Sequence, residues 1–343
     1  MKRSKRRRIK RGELVKFVFS VFSQWYERTS VDSIYDIRIP VAELRRRLSE
    51  SYDSTYQNDW WILTQIHRYE RETGSQLFER VDDGDDPDSI VLAIYRGIDG
   101  FHQSHHLLAN QKIRIAAGVL DLIRNTEREG PEPISLYLGS GSIPATVADV
   151  LMHKIVDHGG AYRVFSHNLA VQEKILTASH PPESIDFYSV GGRVDWAKYI
   201  ILTDNVETLT ALPVDYVVQS TNTISDGTLY VSDPHEAAVK KAILYDLPGT
   251  KILTVMKDEF TRSSEGKQRY GRLCDYDYIV TIPAKNGTTR LADRFLADRT
   301  DRFQQLISHW SYTVYRTMHE EVRTVPPQAA VSRHFAESLV STC

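Results

Sequence analysis

Leu14, Val18, Val21, Phe22 and Trp25 recur at three- and four-residue intervals, the spacing that gathers side chains on one helix face. Val41, Leu44 and Leu48 repeat that pattern over residues 41–49, after Pro40, in a short segment carrying Arg45, Arg46 and Arg47. A third helix is expected over residues 56–72, with Asp53 and Ser54 as caps ahead of it and Gly74 as its stop. Two short apolar runs follow, residues 77–81 and 90–95, around a turn of Asp82, Asp83, Gly84, Asp85, Asp86, Pro87 and Asp88; they read as a hairpin. Three helices and a hairpin in this order are the plan of a winged helix-turn-helix, with residues 56–72 as its recognition helix.

From Lys112 the pattern becomes an alternation of helices and short apolar strands. Helices are expected at 112–125, 144–154, 168–177 and 234–244, and strands at 134–138, 162–165, 185–190, 215–219, 251–256 and 278–282. That alternation predicts an α/β fold, a mostly parallel sheet covered on both faces. Phe303, Leu306, Ile307, Trp310, Val314 and Met318 fit a helical stripe of about four turns, stopped by Pro326 and Pro327, with a second short helix at 331–339. That stripe either packs on the domain or, with Tyr312 and Tyr315 beside Trp310, forms an oligomer contact. The expected organisation is a basic arm (1–12), a winged helix-turn-helix (13–98), a linker (99–111), an α/β domain (112–290) and a C-terminal helical extension (291–343).

Composition sharpens the picture. The chain has 343 residues, 41% apolar and 26% charged, which suits a soluble chain with a sizeable core. No stretch approaches the roughly twenty apolar residues of a membrane span, so no membrane partner is expected. Two cysteines, Cys274 and Cys343, cannot build a disulfide framework or a four-thiolate zinc site, and a cytoplasmic location is expected. The net charge of −2 hides a concentration of lysine and arginine in the first twelve residues, including Arg6, Arg7 and Arg8. Glu13 and Lys16 break the apolar run that follows, and no cleavage site appears, which argues against an export signal. A basic arm on an acidic body points to a polyanion, first of all double-stranded DNA. Arg6, Arg7, Arg8, Arg45, Arg46, Gln57, Asn58, Gln65 and Arg68 are the expected DNA-contacting residues, with His67 beside them. The aspartates at the hairpin tip would repel phosphates. His102, His105 and His106 lie close together without a cysteine, and a solvated or capping role is expected rather than a metal site.

In parallel α/β domains ligands sit at the carboxyl ends of strands, beside helix N-termini. Four segments meet that description: Gly139, Ser140, Gly141 and Ser142; His167 and Asn168; Gly191 and Gly192; and Asp226 and Gly227 ahead of a helix carrying Glu236 and Lys240. Glycines admit close backbone approach, hydroxyls donate, and helix starts favour anions. A small phosphorylated sugar or nucleotide is the expected ligand, with no further cofactor and no metal. No G-x-x-x-x-G-K-[ST], G-x-S-x-G or H-E-x-x-H motif occurs.

These residues carry a resemblance. Lys112-Ile113-Arg114-Ile115-Ala116, Leu136-Tyr137-Leu138-Gly139-Ser140-Gly141-Ser142, Val164-Phe165-Ser166-His167-Asn168-Leu169, Tyr188-Ser189-Val190-Gly191-Gly192, Asp226-Gly227-Thr228 with His235-Glu236-Ala237-Ala238-Val239-Lys240-Lys241-Ala242, and Cys274-Asp275-Tyr276-Asp277-Tyr278-Ile279-Val280-Thr281 resemble, in order, the effector domain of the DeoR family of bacterial transcription regulators. The resemblance covers about half the chain. It implies the fold of sugar-phosphate isomerases, a phosphorylated effector and an N-terminal helix-turn-helix. Gly139 stands where the family has aspartate, the family's later Asp-x-x-Lys segment is replaced around Met256-Lys257-Asp258-Glu259-Phe260, and its Arg-Arg-Asp helix-turn-helix signature is absent. Binding without turnover is therefore expected, in an oligomeric, ligand-responsive DNA-binding regulator. The alternatives are an isomerase-like enzyme using Glu236 or Asp226 with Lys240, and a sensor acting on a protein partner.

Overall fold

The structure is a computed structural model and describes residues 9–52, 58–82, 90–97, 100–126, 132–158, 160–178, 184–203, 211–261, 263–284 and 290–318. Helix α1 (Arg11–Arg28) buries Leu14, Val18, Val21 and Phe22 as the periodicity requires, and adds Val15, Phe19 and Tyr26. Strand β1 (Ile39–Pro40) leads into α2 (Val41–Tyr52), and α3 (Asp59–Thr73) follows. The side chain of Asn58 caps α3 by accepting from the Trp60 amide, and Gly74 closes it in the left-handed conformation. The expected caps Asp53 and Ser54 lie outside the described residues. Strands β2 (Phe78–Asp82) and β3 (Ile90–Ile94) pair antiparallel, and β1 adds to β3, giving the order β1-β3-β2. The acidic turn between β2 and β3 also lies outside the described residues.

Within the expected linker, the described residues 100–111 include helical and buried positions. Helix α4 (Phe101–Ser104) and the buried Leu107 and Leu108 pack into the core, because apolar side chains this dense gain more from burial than from solvation. Helix α5 (Ala109–Asn125) then opens the large sheet layer. The sheet has eight strands in the order β15-β16-β14-β12-β9-β4-β5-β6. Its parallel part is β14 (Tyr278–Thr281), β12 (Thr250–Thr254), β9 (Tyr216–Ser220), β4 (Ile134–Leu138), β5 (Tyr162–Ser166) and β6 (Ile185–Ser189).

Alternation along the strands sorts the two faces. Leu136 and Leu138 of β4 join one core with α5, α6 (Ser142–His158) and α7 (Leu169–Leu176), whereas Tyr137 joins Val239 and Ile243 of α8 (Pro234–Tyr245) on the other. A hairpin of β7 (Arg193–Asp195) and β8 (Ile200–Leu202) follows β6, and a three-stranded antiparallel sheet of β10 (Thr223–Ser225), β11 (Thr228–Val231) and β13 (Gln268–Arg272) lies beyond β9.

The C-terminal segment corrects the helical expectation. After α9 (Leu291–Ala297), Phe303–Ser308 is strand β15 and Thr313–Thr317 is strand β16, an antiparallel hairpin paired to β14. The register shifts between Gln305 and Ile307. That irregularity breaks strict alternation, so the apolar positions fall at intervals that imitate a helix. The β-branched and aromatic run of β16 suits a strand, and β14 offers an open edge to pair with. Trp310 sits in the turn, 81% exposed. Residues 326–327 and 331–339 lie outside the described residues.

The N-terminal elements and the sheet share one continuous core, which runs from Phe19 and Phe22 through Leu107 and Ile115 to Val314. Polar contacts reinforce the seam. Arg290 Nη2 donates to the Tyr26 and Thr29 carbonyls at the end of α1, and its guanidinium lies 3.9 Å from the centre of the Tyr26 ring. The Leu291 amide donates to Asp32 Oδ1 at 2.6 Å, and Gln111 Nε2 donates to Glu27 Oε1 at 3.2 Å.

Candidate functional site

The parallel strands deliver their carboxyl ends to one edge, and the expected residues of three segments meet there. β4 ends in Gly139 and Ser140, from which α6 starts at Ser142. Gly141 has φ of +103°, and a Cβ there would lie 2.5 Å from Ser220 Oγ, so only glycine allows this turn beside β9. Asn168, fully buried after β5, caps α7 and donates to the carbonyls of Gly139 at 3.0 Å and Gly141 at 2.9 Å. Ser220 Oγ, at the end of β9, donates to the Ser140 carbonyl at 3.0 Å. The loop is thus held from both flanking strands, leaving the Ser140 hydroxyl aimed at α8.

Asp233-Pro234 starts α8 in standard fashion, proline in the first turn and the Asp233 side chain accepting from the Glu236 amide at 2.8 Å. Ser140 Oγ donates to Glu236 Oε1 at 3.1 Å, and Lys240 Nζ is 3.8 Å from the same oxygen. Lys240 is enclosed, with its side chain 2% exposed, and donates to the Ser220 carbonyl at 2.8 Å. Burial lowers its proton affinity, opposed by the charges of Glu236 and Glu259. Its ammonium lies 5.7 Å from the centre of the Tyr270 ring. His167 is buried against Tyr137, whose hydroxyl is 2.6 Å from Nδ1, and burial together with the Lys240 charge lowers its pKa to about 3. It is a neutral imidazole at physiological pH.

Two residues that sequence reasoning did not place join this cluster. Lys198, in the β7–β8 turn, reaches Asp233 Oδ2 at 3.0 Å and Glu236 Oε2 at 3.9 Å. Glu259, in the turn after β12, accepts from the Met256 amide at 2.9 Å, and burial, with Asp258 beside it, raises its pKa well above the ordinary carboxyl value. Asp258 Oδ1 is sealed from solvent without a hydrogen-bond partner, and burial raises this carboxyl too. Lys257 is taken up elsewhere, paired with Asp293 and donating to the Pro283 carbonyl at 2.8 Å. No periodicity marks Lys198, because a lysine in a short turn has no pattern to break.

Other expected residues fall outside the cluster. Gly191 and Gly192 are exposed, and a Cβ on Gly192 would lie 2.1 Å from the Leu202 carbonyl oxygen. Close packing of β8 is therefore reason enough for that glycine. Asp226 lies at the tip of the β10–β11 turn, paired with Arg299 at 3.2 Å, and Gly227 packs near Phe295.

The expected DNA-contacting side chains are mostly engaged. Arg45 pairs with Asp59 at 3.2 Å, Arg46 with Glu43 and Glu50, and Arg47 with Glu43. Asn58 is spent as a cap, and Gln65 Oε1 accepts from Arg11 Nε at 3.3 Å. Arg68 is exposed on α3. Arg6, Arg7, Arg8 and Gln57 lie outside the described residues. His105 is not simply solvated: it is part-buried and stacked on Phe101, and burial takes its pKa down to about 4. Among the described residues no group of three histidine, cysteine or acidic side chains could hold a metal ion, and no helix is long and apolar enough to cross a membrane.

No protein-family model matches the chain, and no curated protein matches it in sequence. Solved structures resemble it distantly. Ribose 5-phosphate isomerase A from Methanocaldococcus jannaschii aligns over 46% of this chain and 56% of its own, at 12% identity and a TM-score of 0.31. The delta subunit of translation initiation factor eIF-2B from A. fulgidus aligns over 79% and 81%, at 12% identity and a TM-score of 0.32. 5-methylthioribose 1-phosphate isomerase from Pyrococcus horikoshii OT3 aligns over 79% and 78%, at 9% identity and a TM-score of 0.32.

Proposed function

We propose that the carboxyl edge of the sheet binds a small phosphorylated sugar or nucleotide, and that the chain is a ligand-responsive DNA-binding regulator. One observation carries the ligand reading. Ser140, ahead of α6 at the end of β4, meets Glu236 of α8, and Lys240 of the same helix is anchored on Ser220 at the end of the neighbouring strand β9, in a site that combines backbone amides, a hydroxyl, a carboxylate and an enclosed cation. Amides at a helix start suit a phosphate, and the carboxylate suits sugar hydroxyls. The DeoR-like sequence segments that end at this edge favour the same ligand class.

The regulator reading draws on the order of the N-terminal elements, α1-β1-α2-α3 followed by the β2–β3 hairpin, and on the basic residues ahead of α1. The ion pairs that occupy Arg45, Arg46 and Arg47 leave the arm and Arg68 as the main phosphate-seeking groups. Fluorescence anisotropy of the full chain tests this. A duplex from its own upstream region and a scrambled duplex are titrated across a salt series, with and without ribose 5-phosphate. Preference for the native duplex that persists as salt rises, and that changes with ribose 5-phosphate, is the expected result. Equal binding that collapses with salt overturns the regulator.

The enclosed Lys240 beside Glu236 favours a second reading, a proton-transferring enzyme of the isomerase kind. Turnover of ribose 5-phosphate that Glu236→Gln abolishes would establish it.

A further inference from the structure

We propose that Lys198 is a ligand-binding residue, the cation that receives the anionic group of the ligand at the mouth of the site. The proposal rests on the ligand reading above and adds a recognition element, the β7–β8 hairpin, that no sequence motif marked.

The two lysines beside Glu236 are not equivalent. Lys240 is enclosed and tied to the Ser220 carbonyl, so an arriving ligand cannot displace its partners without opening the core. Lys198 has a side chain 26% exposed and faces the opposite oxygen of the same carboxylate. Ser140 approaches Oε1 of Glu236 and Lys198 faces Oε2, so the start of α6 and the lysine flank one group. A phosphate held by both leaves Glu236 to accept hydroxyls. Asp233, the nearer partner of Lys198, keeps its structural role meanwhile, because Oδ1 accepts the Glu236 amide while Oδ2 meets the lysine. A partly exposed ion pair contributes little to stability and exchanges readily for a phosphate.

The alternative is that this ion pair merely fastens the hairpin to α8. Backbone contacts already hold the hairpin in place without the lysine side chain, through α4, the start of α7 and the end of β5 rather than through α8. The Ala197 carbonyl accepts from the Phe101 amide at 2.9 Å, the Tyr199 carbonyl from the Leu169 amide at 3.0 Å, and the Ile201 amide donates to the His167 carbonyl at 2.7 Å. Asp195 Oδ1 shapes the turn by accepting from the amides of Ala197 and Lys198, and the rings of Phe101 and Tyr199 stack at 5.5 Å. A second observation points to the same turn. Tyr199 has φ of +57°, a left-handed conformation that costs an aromatic residue energy and that collects at ligand-holding segments. The fold retains that strain directly beside Lys198.

Isothermal titration of the full chain with ribose 5-phosphate and with adenosine monophosphate tests the proposal. Lys198→Gln should weaken binding of whichever probe the wild type takes by about 10- to 100-fold. Lys198→Arg should stay within roughly fivefold, since the charge is kept. Lys174→Gln, which breaks only the pair with Asp149 on α6, should bind as wild type does. The melting temperature of Lys198→Gln should stay within about 2 °C of wild type, as for other partly exposed pairs. Unchanged affinity in Lys198→Gln overturns the role of Lys198 while leaving the site reading intact. Weakened binding together with a melting temperature many degrees lower means that the pair fastens the hairpin, and also overturns it. Failure of the wild type to bind either probe removes the site reading itself, and the proposal with it.

Discussion

His167 shows how far an environment can move one residue from its sequence meaning. As a letter it is a polar ligand candidate after a strand; in place it is a neutral ring sealed against Tyr137, with burial and the Lys240 charge holding its pKa near 3. Between about pH 6.5 and 3 the unfolded chain therefore binds a proton that the folded chain refuses, so stability from this residue falls as pH drops through that window. Glu259 works in the opposite sense, since its raised carboxyl binds its proton more tightly when folded. The difference between variants isolates the histidine. Urea unfolding at pH 7 and pH 5 should show a smaller pH-dependent loss for His167→Gln than for wild type. An equal loss in both would mean that this ring titrates normally. Lys240 allows a sharper prediction. Lys240→Met removes the enclosed cation from Glu236 and should cost about 3 kcal/mol in chemical denaturation. The Glu236→Gln/Lys240→Met double variant should recover part of that loss, because no unbalanced buried charge remains.

Among the elements, the loop at 139–142 and the C-terminal hairpin make opposite points about local sequence. Gly141 is dictated locally and tertiarily at once: its φ needs glycine, and Ser220 leaves no room for a methyl group. Gly141→Ala should cost about 2 kcal/mol in thermal unfolding and weaken ribose 5-phosphate binding, because the loop must retreat from β9. The hairpin carries a helical signature in its sequence because Phe303, Ile307, Val314 and their neighbours satisfy three- and four-residue spacing once the irregularity at Gln305 is counted as ordinary sequence. Nothing local distinguishes the two readings; the vacant edge of β14 decides. Hydrogen exchange checks the result. Amides of β16, paired on both sides by β14 and β15, should exchange more slowly than those of β15 that point away from the sheet. A helical segment would give uniform protection along 303–318 instead.

For the whole molecule, the continuous core and the Arg290 contacts tie the N-terminal elements to the sheet. A single cooperative transition is therefore expected by calorimetry. Arg290→Ala, which frees the Tyr26 and Thr29 carbonyls and uncovers the Tyr26 ring, should lower the melting temperature by several degrees. Two separate transitions in the wild type would mean that the N-terminal unit folds independently.

The amino-acid sequence determined most of the parallel layer by itself. Strand β4 and the helices beginning near 112, 144, 168 and 234 follow from apolar periodicity, and Gly74, Asn168 and Asp233 act where capping chemistry puts them, because these signals need only a residue and its neighbours. The joining of Ser140, Glu236 and Lys240 was legible as segments at strand ends, though not as contacts. Only tertiary structure brought Lys198 and Glu259 to that edge, paired Asp226 with Arg299, buried Phe101, Leu107 and Leu108 in the core and chose strands over a helix at 303–317. Each of those outcomes depends on which surfaces remain to be covered or paired once the sheet exists, and that information lies tens to hundreds of residues away in the chain.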